Sequence, residues 1–210
     1  MSNLEIIPIE YANSVFGENN IFQNGDAKKL RPIVFMIFLI KTENRLILVD
    51  AGCEAMPDFD MHDFIGPIKA LEKLGISPED ITDVIITHAH HDHIACVSYF
   101  KNAAIYIQRE EYNNGKNYFA KNMDIRIFDE EAKVFDNVKA VKIGGHSIGS
   151  SIVEVNDGNK IFVIAGDECY SKENLEKHIP AGAPYSPEKN REFIDKYSSD
   201  KYTVLLCHDK

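Results

Sequence analysis

With 210 residues, 44% of them hydrophobic and 27% charged, the chain has the size and composition of one large globular domain with a substantial core. Its formal net charge of −10 and its lack of a Lys/Arg cluster argue against nucleic acid or another extended polyanion as a partner. The four cysteines (Cys53, Cys96, Cys169 and Cys207) form no C-x-x-C pair and predict reduced, buried thiols in a cytoplasmic protein.

From the N-terminus, residues 1–10 have neither the basic start nor the long apolar stretch of a signal peptide. The apolar run 33–40 is far too short for a membrane span and predicts a core strand. A second strand at 45–50 follows the polar turn Lys41-Thr42-Glu43-Asn44, which makes a hairpin ending at Asp50-Ala51-Gly52. Residues 53–63 read as a loop. Ile65, Ile68, Leu71 and Leu74 have helical spacing, and Gly75 stops that helix. A strand over 83–87, a helix over 92–100, a strand over 104–108 and a short helix over 109–116 follow. Residues 117–137 are polar and give no clear element. Strands are predicted at 138–143, 151–155 and 160–165, the last two joined by the turn Asn156-Asp157-Gly158-Asn159. Helices over 171–177 and 187–198 precede a final strand at 202–206. Strands arriving mainly as hairpins, with helices between them, predict two packed sheets covered by helices in a single unit spanning 1–210.

The chemistry concentrates at strand ends. Thr87-His88-Ala89-His90-His91-Asp92-His93 follows the apolar Val84-Ile85-Ile86 and packs four imidazoles and a carboxylate into seven residues. Such a density of polar side chains next to a buried strand is costly unless cations hold it, and imidazole with carboxylate suits zinc, iron or manganese. Three more ligand-type residues fall just past predicted strands: His146 in Gly144-Gly145-His146-Ser147, Asp167 in Ala165-Gly166-Asp167, and His208. Alone, each is an ordinary turn or surface residue. Together with the cluster they supply enough donors for a dinuclear site. His62 and His178 lie in polar surroundings and are expected at the surface. His91 is expected to face a pocket or solvent rather than a metal.

The motif H-x-H-x-D-H at 88–93, followed in order by His146, Asp167 and His208, resembles the metal-binding set of the metallo-β-lactamase superfamily. The resemblance implies an α/β fold, the four-layer αββα sandwich. It also implies that His88, His90 and His146 hold one metal, that Asp92, His93 and His208 hold the other, and that Asp167 bridges them. Two segments, Gly166-Asp167-Glu168-Cys169-Tyr170-Ser171-Lys172-Glu173-Asn174 and Ile107-Gln108-Arg109-Glu110-Glu111-Tyr112, are similar to the N-acyl-homoserine lactonase branch. In that branch a Tyr three residues after the bridging Asp contacts the substrate carbonyl, and Tyr170 holds that position. The chain departs from the family at Ile94-Ala95-Cys96, where glycines are usual, at the short 53–63 segment, and over 113–137.

The implied activity is hydrolysis of a small ester or lactone by a hydroxide shared between two divalent ions, most suitably zinc. Tyr170 would stabilise the oxyanion and Asp92 would move the proton. No Ser or Cys nucleophile is required, so Ser147 and Cys207 are read as structural. Two readings compete with this one: a thioester hydrolase of the glyoxalase II type, which shares the ligand set, and a metal-binding module without catalysis. Neither a nucleic acid nor a membrane is expected as a partner.

Overall fold

A computed structural model describes residues 4–210, and its strands form two sheets. Strands β1 (Glu5–Gly17), β2 (Leu30–Lys41), β3 (Leu46–Val49), β4 (Asp83–Ile86), β5 (Ala104–Gln108) and β6 (Asp124–Phe128) lie side by side in chain order. The second sheet holds β7 (Glu131–Phe135), β8 (Val138–Lys142), β9 (Ser151–Asn156), β10 (Ile161–Ile164) and β11 (Tyr202–Leu205), in the order β11-β10-β9-β8-β7. The helices are α1 (Glu18–Ile21), α2 (Pro67–Glu72), α3 (His91–Ile94), α4 (Arg109–Asn114), α5 (Lys172–Glu176) and α6 (Pro187–Tyr197).

The burial pattern of β2 explains the layering. Phe35, Ile37 and Leu39 face one way, among Leu71, Ile94, Val97 and Phe100 on the helical side. Phe38 and Ile40 face the other way, against Val138, Ala140, Val153, Val155 and Ile164 of the second sheet. Because side chains alternate along a strand, an uninterrupted apolar run is what a sheet covered on both faces requires. The outer face of the second sheet carries Ile152 and Val163, covered by Phe193, Ile194 and Tyr197 of α6. Helix, sheet, sheet and helix therefore stack as an αββα sandwich, as expected. Each fully buried aliphatic or aromatic side chain contributes roughly 1.5–3 kcal/mol to this stacking.

The structure differs from the sequence reading in four places. β1 is a long strand that pairs antiparallel with β2 along its length, with a bulge between Glu10 and Ala12, where the sequence suggested no element. β6 and β7 occupy the stretch 117–137 that gave no clear prediction. Hairpins are also fewer than expected: β3, β4, β5 and β6 pair in parallel, and so do β10 and β11. The helix expected over 92–100 is one α-helical turn, α3, followed by a short 3-10 turn at Val97–Tyr99. Among the described residues no helix is long and apolar enough to cross a membrane.

Candidate metal centre

Strand ends deliver the polar residues to one place. β4 ends at Ile86 and leads directly into His88, Ala89 and His90, after which α3 carries Asp92 and His93. His146 lies in the turn after β8. Asp167 sits in a 3-10 turn after β10, and His208 follows β11. The turn at Asp167 needs Gly166, whose φ is 53° and which packs so closely on Thr87 that a Cβ would lie 3.0 Å from its Oγ1.

All seven residues expected as ligands converge. Donor atoms of His88, His90, His146 and Asp167 lie within 4.8 Å of one another, and so do those of Asp92, His93 and His208. Asp167 stands between the two groups. Its Oδ1 is 3.0 Å from His93 Nε2 and 3.1 Å from His208 Nε2, whereas its Oδ2 is 3.5 Å from His146 Nε2 and 3.7 Å from His88 Nε2. Asp92 Oδ2 lies 3.5 Å from His93 Nε2 and 3.7 Å from His208 Nε2. His146 Nε2 and His90 Nδ1 are 2.9 Å apart.

These donors fit metal ions better than they fit one another. Nε2 of His88 and Nε2 of His93 are buried and have no hydrogen-bond partner, an arrangement normally avoided. His93 Nε2 is close to Asp167 but is not aligned for a hydrogen bond. Ligands on a tetrahedral ion at about 2.0–2.1 Å stand roughly 3.3 Å apart, close to the separations here. The electrostatics point the same way. Burial opposes a charge on His93 and His208, yet the nearby carboxylates, Asp167 foremost, hold both above the usual imidazole range. Burial and neighbouring imidazoles push His88 well below that range, and burial lowers His146 to about 4. Burial also works against ionised Asp167, but four imidazoles, led by His93, keep it well below the usual carboxylate range. The carboxylates thus demand positive charge at this point: they draw His93 and His208 toward the charged form, while buried His88 and His146 present neutral nitrogens.

A second layer fixes the ring orientations. His93 Nδ1–H donates to Asp50 Oδ2 at 2.7 Å, and the Asp50 carboxylate also accepts from Thr87 N–H and Thr87 Oγ1–H at 2.8 and 2.9 Å. Asp50 adopts a left-handed φ of 62°, a conformation rare outside glycine, which these three bonds hold in place. His208 Nδ1–H donates to the Val34 carbonyl oxygen at 2.9 Å. In both rings Nε2 is left facing inward. The turn carrying His146 rests on two buried carboxylates. Glu168 accepts from the backbone N–H groups of Gly145 and His146, each at 3.0 Å, and from Asn190 Nδ2 at 3.0 Å. Glu111 accepts from Ala89 N–H, Ser147 Oγ–H and Gly149 N–H at 2.7–2.8 Å, which ties the first ligand segment to the His146 turn.

The centre opens onto a cavity of about 410 Å³ lined by Phe16, Asn20, Phe59, His146 and Tyr170, among others. Tyr170 Oη donates to Asp167 Oδ2 at 2.6 Å, and its ring stacks on His208 with centroids 5.3 Å apart. Burial, then Asp167, raises the Tyr170 phenol well above its ordinary pKa, so it remains a donor. Ser147 hydrogen-bonds Glu111, Cys207 is buried with its Sγ grouped with Asp50 and His93, and, as expected, His62 and His178 are exposed. His91 lies outside both donor groups, as expected, and is half-buried, with both ring nitrogens hydrogen-bonded within the protein. Sequence reasoning missed Asp50, Glu111 and Glu168 as supports, and Phe16 and Phe59 as wall residues. Asp50 at a hairpin end and Glu168 beside Asp167 were visible, but nothing local distinguishes a buried acceptor from a surface acid.

Comparison with known proteins gives one matching family model, the metallo-β-lactamase superfamily, over residues 36–208. An N-acyl homoserine lactonase of Bacillus cereus is 28% identical over 205 residues, covering 82% of this chain and 80% of that protein. A "probable metallo-hydrolase" of Methanocaldococcus jannaschii is 30% identical over 163 residues, covering 78% of this chain and 70% of that protein. Among solved structures, an N-acyl homoserine lactone hydrolase with the product N-hexanoyl-L-homoserine at its catalytic metal centre superposes with a TM-score of 0.82 at 23% identity. That match covers 98% of this chain and 92% of the other.

Proposed function

This chain belongs to the metallo-β-lactamase superfamily, and from that premise we propose that it is a dinuclear-metal hydrolase opening a lactone ring of the N-acyl-homoserine lactone type. The observation that carries the reading is Asp167, whose two carboxylate oxygens face two separate groups of donors. On this reading His88, His90 and His146 would hold one ion, Asp92, His93 and His208 would hold the other, and Asp167 would serve both. When bound, two divalent ions supply Lewis acidity that lowers the pKa of water and polarises a carbonyl; nitrogen and oxygen donors suit zinc best, with iron or manganese as alternatives.

The chain's own residues account for the remaining steps. Tyr170 lines the cavity, keeps its proton and can donate to a carbonyl oxygen as that oxygen gains charge. Asp92, whose Oδ2 lies 3.5 Å from His93 Nε2, would take the proton from water and return it to the ring alkoxide. Phe16 and Phe59, 5.3 Å apart edge to face, give the substrate an apolar wall and keep bulk water away. A covalent cysteine route has no support, because burial raises all four thiols, Cys53 to about 11, Cys96 to about 12, and Cys169 and Cys207 well above the ordinary range. The lactone preference draws on the Bacillus cereus relative and on the shared segment after Asp167.

The test is kcat/KM of the zinc-loaded protein for acyl-homoserine lactones of several chain lengths, beside a glutathione thioester and a cephalosporin. We expect the lactones to be preferred. Preference for the thioester would move the assignment to the glyoxalase II type, and no turnover of any ester would leave a metal-binding module.

A further inference from the structure

His91 lies between ligand residues in sequence, yet its ring is used elsewhere. Nε2 is 2.9 Å from the Ala55 carbonyl oxygen, and Nδ1 is 3.0 Å from Tyr118 Oη. A carbonyl can only accept, so Nε2 carries the hydrogen. A neutral ring then leaves Nδ1 as the acceptor for the Tyr118 hydroxyl. The two partners belong to separate segments. Ala55 is in the loop 53–63, which also carries Phe59 into the cavity wall. Tyr118 is in the turn that follows α4. That turn lies directly against the ligand segment, since a Cβ on Gly115 would sit 2.7 Å from Ile94 Cδ1 and 3.3 Å from Ala89 Cβ.

We propose that His91 is a positioning residue whose two ring nitrogens latch the loop 53–63 to the turn at Tyr118 above the metal-ligand segment, and so place Phe59 in the cavity wall. The ends of the loop have other anchors. Tyr99 Oη donates to Glu54 at 2.7 Å, Ser14 Oγ donates to the Asp60 carbonyl oxygen at 2.8 Å, and His62 pairs with Asn13 through backbone bonds of 2.7 and 2.9 Å. Those anchors are independent of His91, so losing the latch frees the middle of the loop without detaching it. Phe59 stacks on Phe35, and Phe35 meets the edge of His208 at 5.2 Å. Through that chain of rings, the loop position sets how the apolar wall meets the ligand His208. The consequence for substrate choice rests on the lactone reading; the latch itself does not.

The experiment is hydrogen–deuterium exchange on the metal-loaded protein and on the H91A, H91F, Y118F and H91A/Y118F variants, with metal content measured in each. H91A should speed exchange in peptides covering 53–63 and 115–119 by about 5–30-fold, as loss of one or two kcal/mol of local stability requires. Y118F should speed only the 115–119 peptide, and the double variant should match H91A. H91F fills the same space without ring nitrogens and should behave like H91A. Wild-type protection in H91F would show that packing holds the loops, and unchanged exchange in H91A would show that neither contact does. Either result overturns the latch. In kinetics, H91A should raise KM for long acyl chains more than for short ones. Equal changes across chain lengths would remove the claim about Phe59. Failure of the wild-type protein to open lactones would overturn the substrate reading while leaving the exchange result to judge the latch.

Discussion

At the scale of single residues, Tyr170 and Asp50 make separable contributions. The Tyr170 hydroxyl touches Asp167 and faces the cavity. Tyr170→Phe should lower kcat/KM by the equivalent of about 1–3 kcal/mol, the worth of one hydrogen bond to a developing charge. Metal content should stay at the wild-type value, because the imidazoles and carboxylates are untouched. Kinetics paired with elemental analysis checks this, and unchanged kcat/KM would make Tyr170 a packing residue. Asp50 touches no substrate and orients His93 through Nδ1. Asp50→Ala leaves that nitrogen without an acceptor and frees the ring to turn. Metal affinity should fall by about 10–100-fold, the usual cost of losing an orienting partner. Competition against a chromophoric chelator measures it, and full affinity in the variant would dismiss Asp50 as an orienting group.

At the scale of elements, what could be read from the sequence depended on how local the signal was. The convergence of the seven candidate ligands was legible because most of them follow a short apolar run, and a shared cation would account for their density. The hairpin of β2 and β3 was legible for the same reason. β1 was not, because Glu5–Gly17 mixes polar and apolar residues around Pro8, and its partner lies in β2, beyond α1 and the loop that follows it. Arg126 and Lys133, on β6 and β7, face solvent, so these strands lack the apolar run that betrays a core strand. Parallel pairing of β3, β4 and β5 is invisible to turn signals, since the partners are joined by helices and long loops. Helix α6 offers a test of packing at this scale. Its Tyr197 donates to Glu154 of β9 at 2.7 Å, and Lys139 of β8 lies 3.2 Å from the same carboxylate. Burial opposes the Glu154 charge, but those hydrogen bonds prevail and hold its pKa below the ordinary value. A carboxylate depressed in the folded state stabilises above its unfolded pKa and loses that contribution as pH falls through the folded one. Glu154→Gln should therefore cost about 1 kcal/mol near neutrality and little in acid. Urea unfolding at neutral pH and in acid compares the two, and an equal loss at both would show that charge plays no part.

At the scale of the whole molecule, the candidate metal centre joins elements that are distant in the chain. Its donor residues follow β4 and β10 in different sheets, and His208 Nδ1 is 2.9 Å from the Val34 carbonyl oxygen of β2. Ions bound only by the folded arrangement therefore stabilise the molecule as a unit, by about 2.7 kcal/mol each when free metal is 100-fold above Kd. For a chain of this length, each kcal/mol shifts Tm by about 2–4 °C. Stripping both ions should lower Tm by roughly 10–20 °C, and the loss should reverse when zinc is restored. The penalty has a second source, because without cations five imidazoles and two carboxylates must be accommodated in a largely buried cluster with two nitrogens unpartnered. Asp167→Ala should behave differently from chelation. It removes the carboxylate shared by both groups, so zinc should restore little of the lost Tm. Scanning calorimetry of the stripped, reloaded and Asp167→Ala proteins separates these cases. A Tm that ignored chelation in the wild-type protein would mean that the seven residues hold no metal, and the hydrolase reading would fall with it.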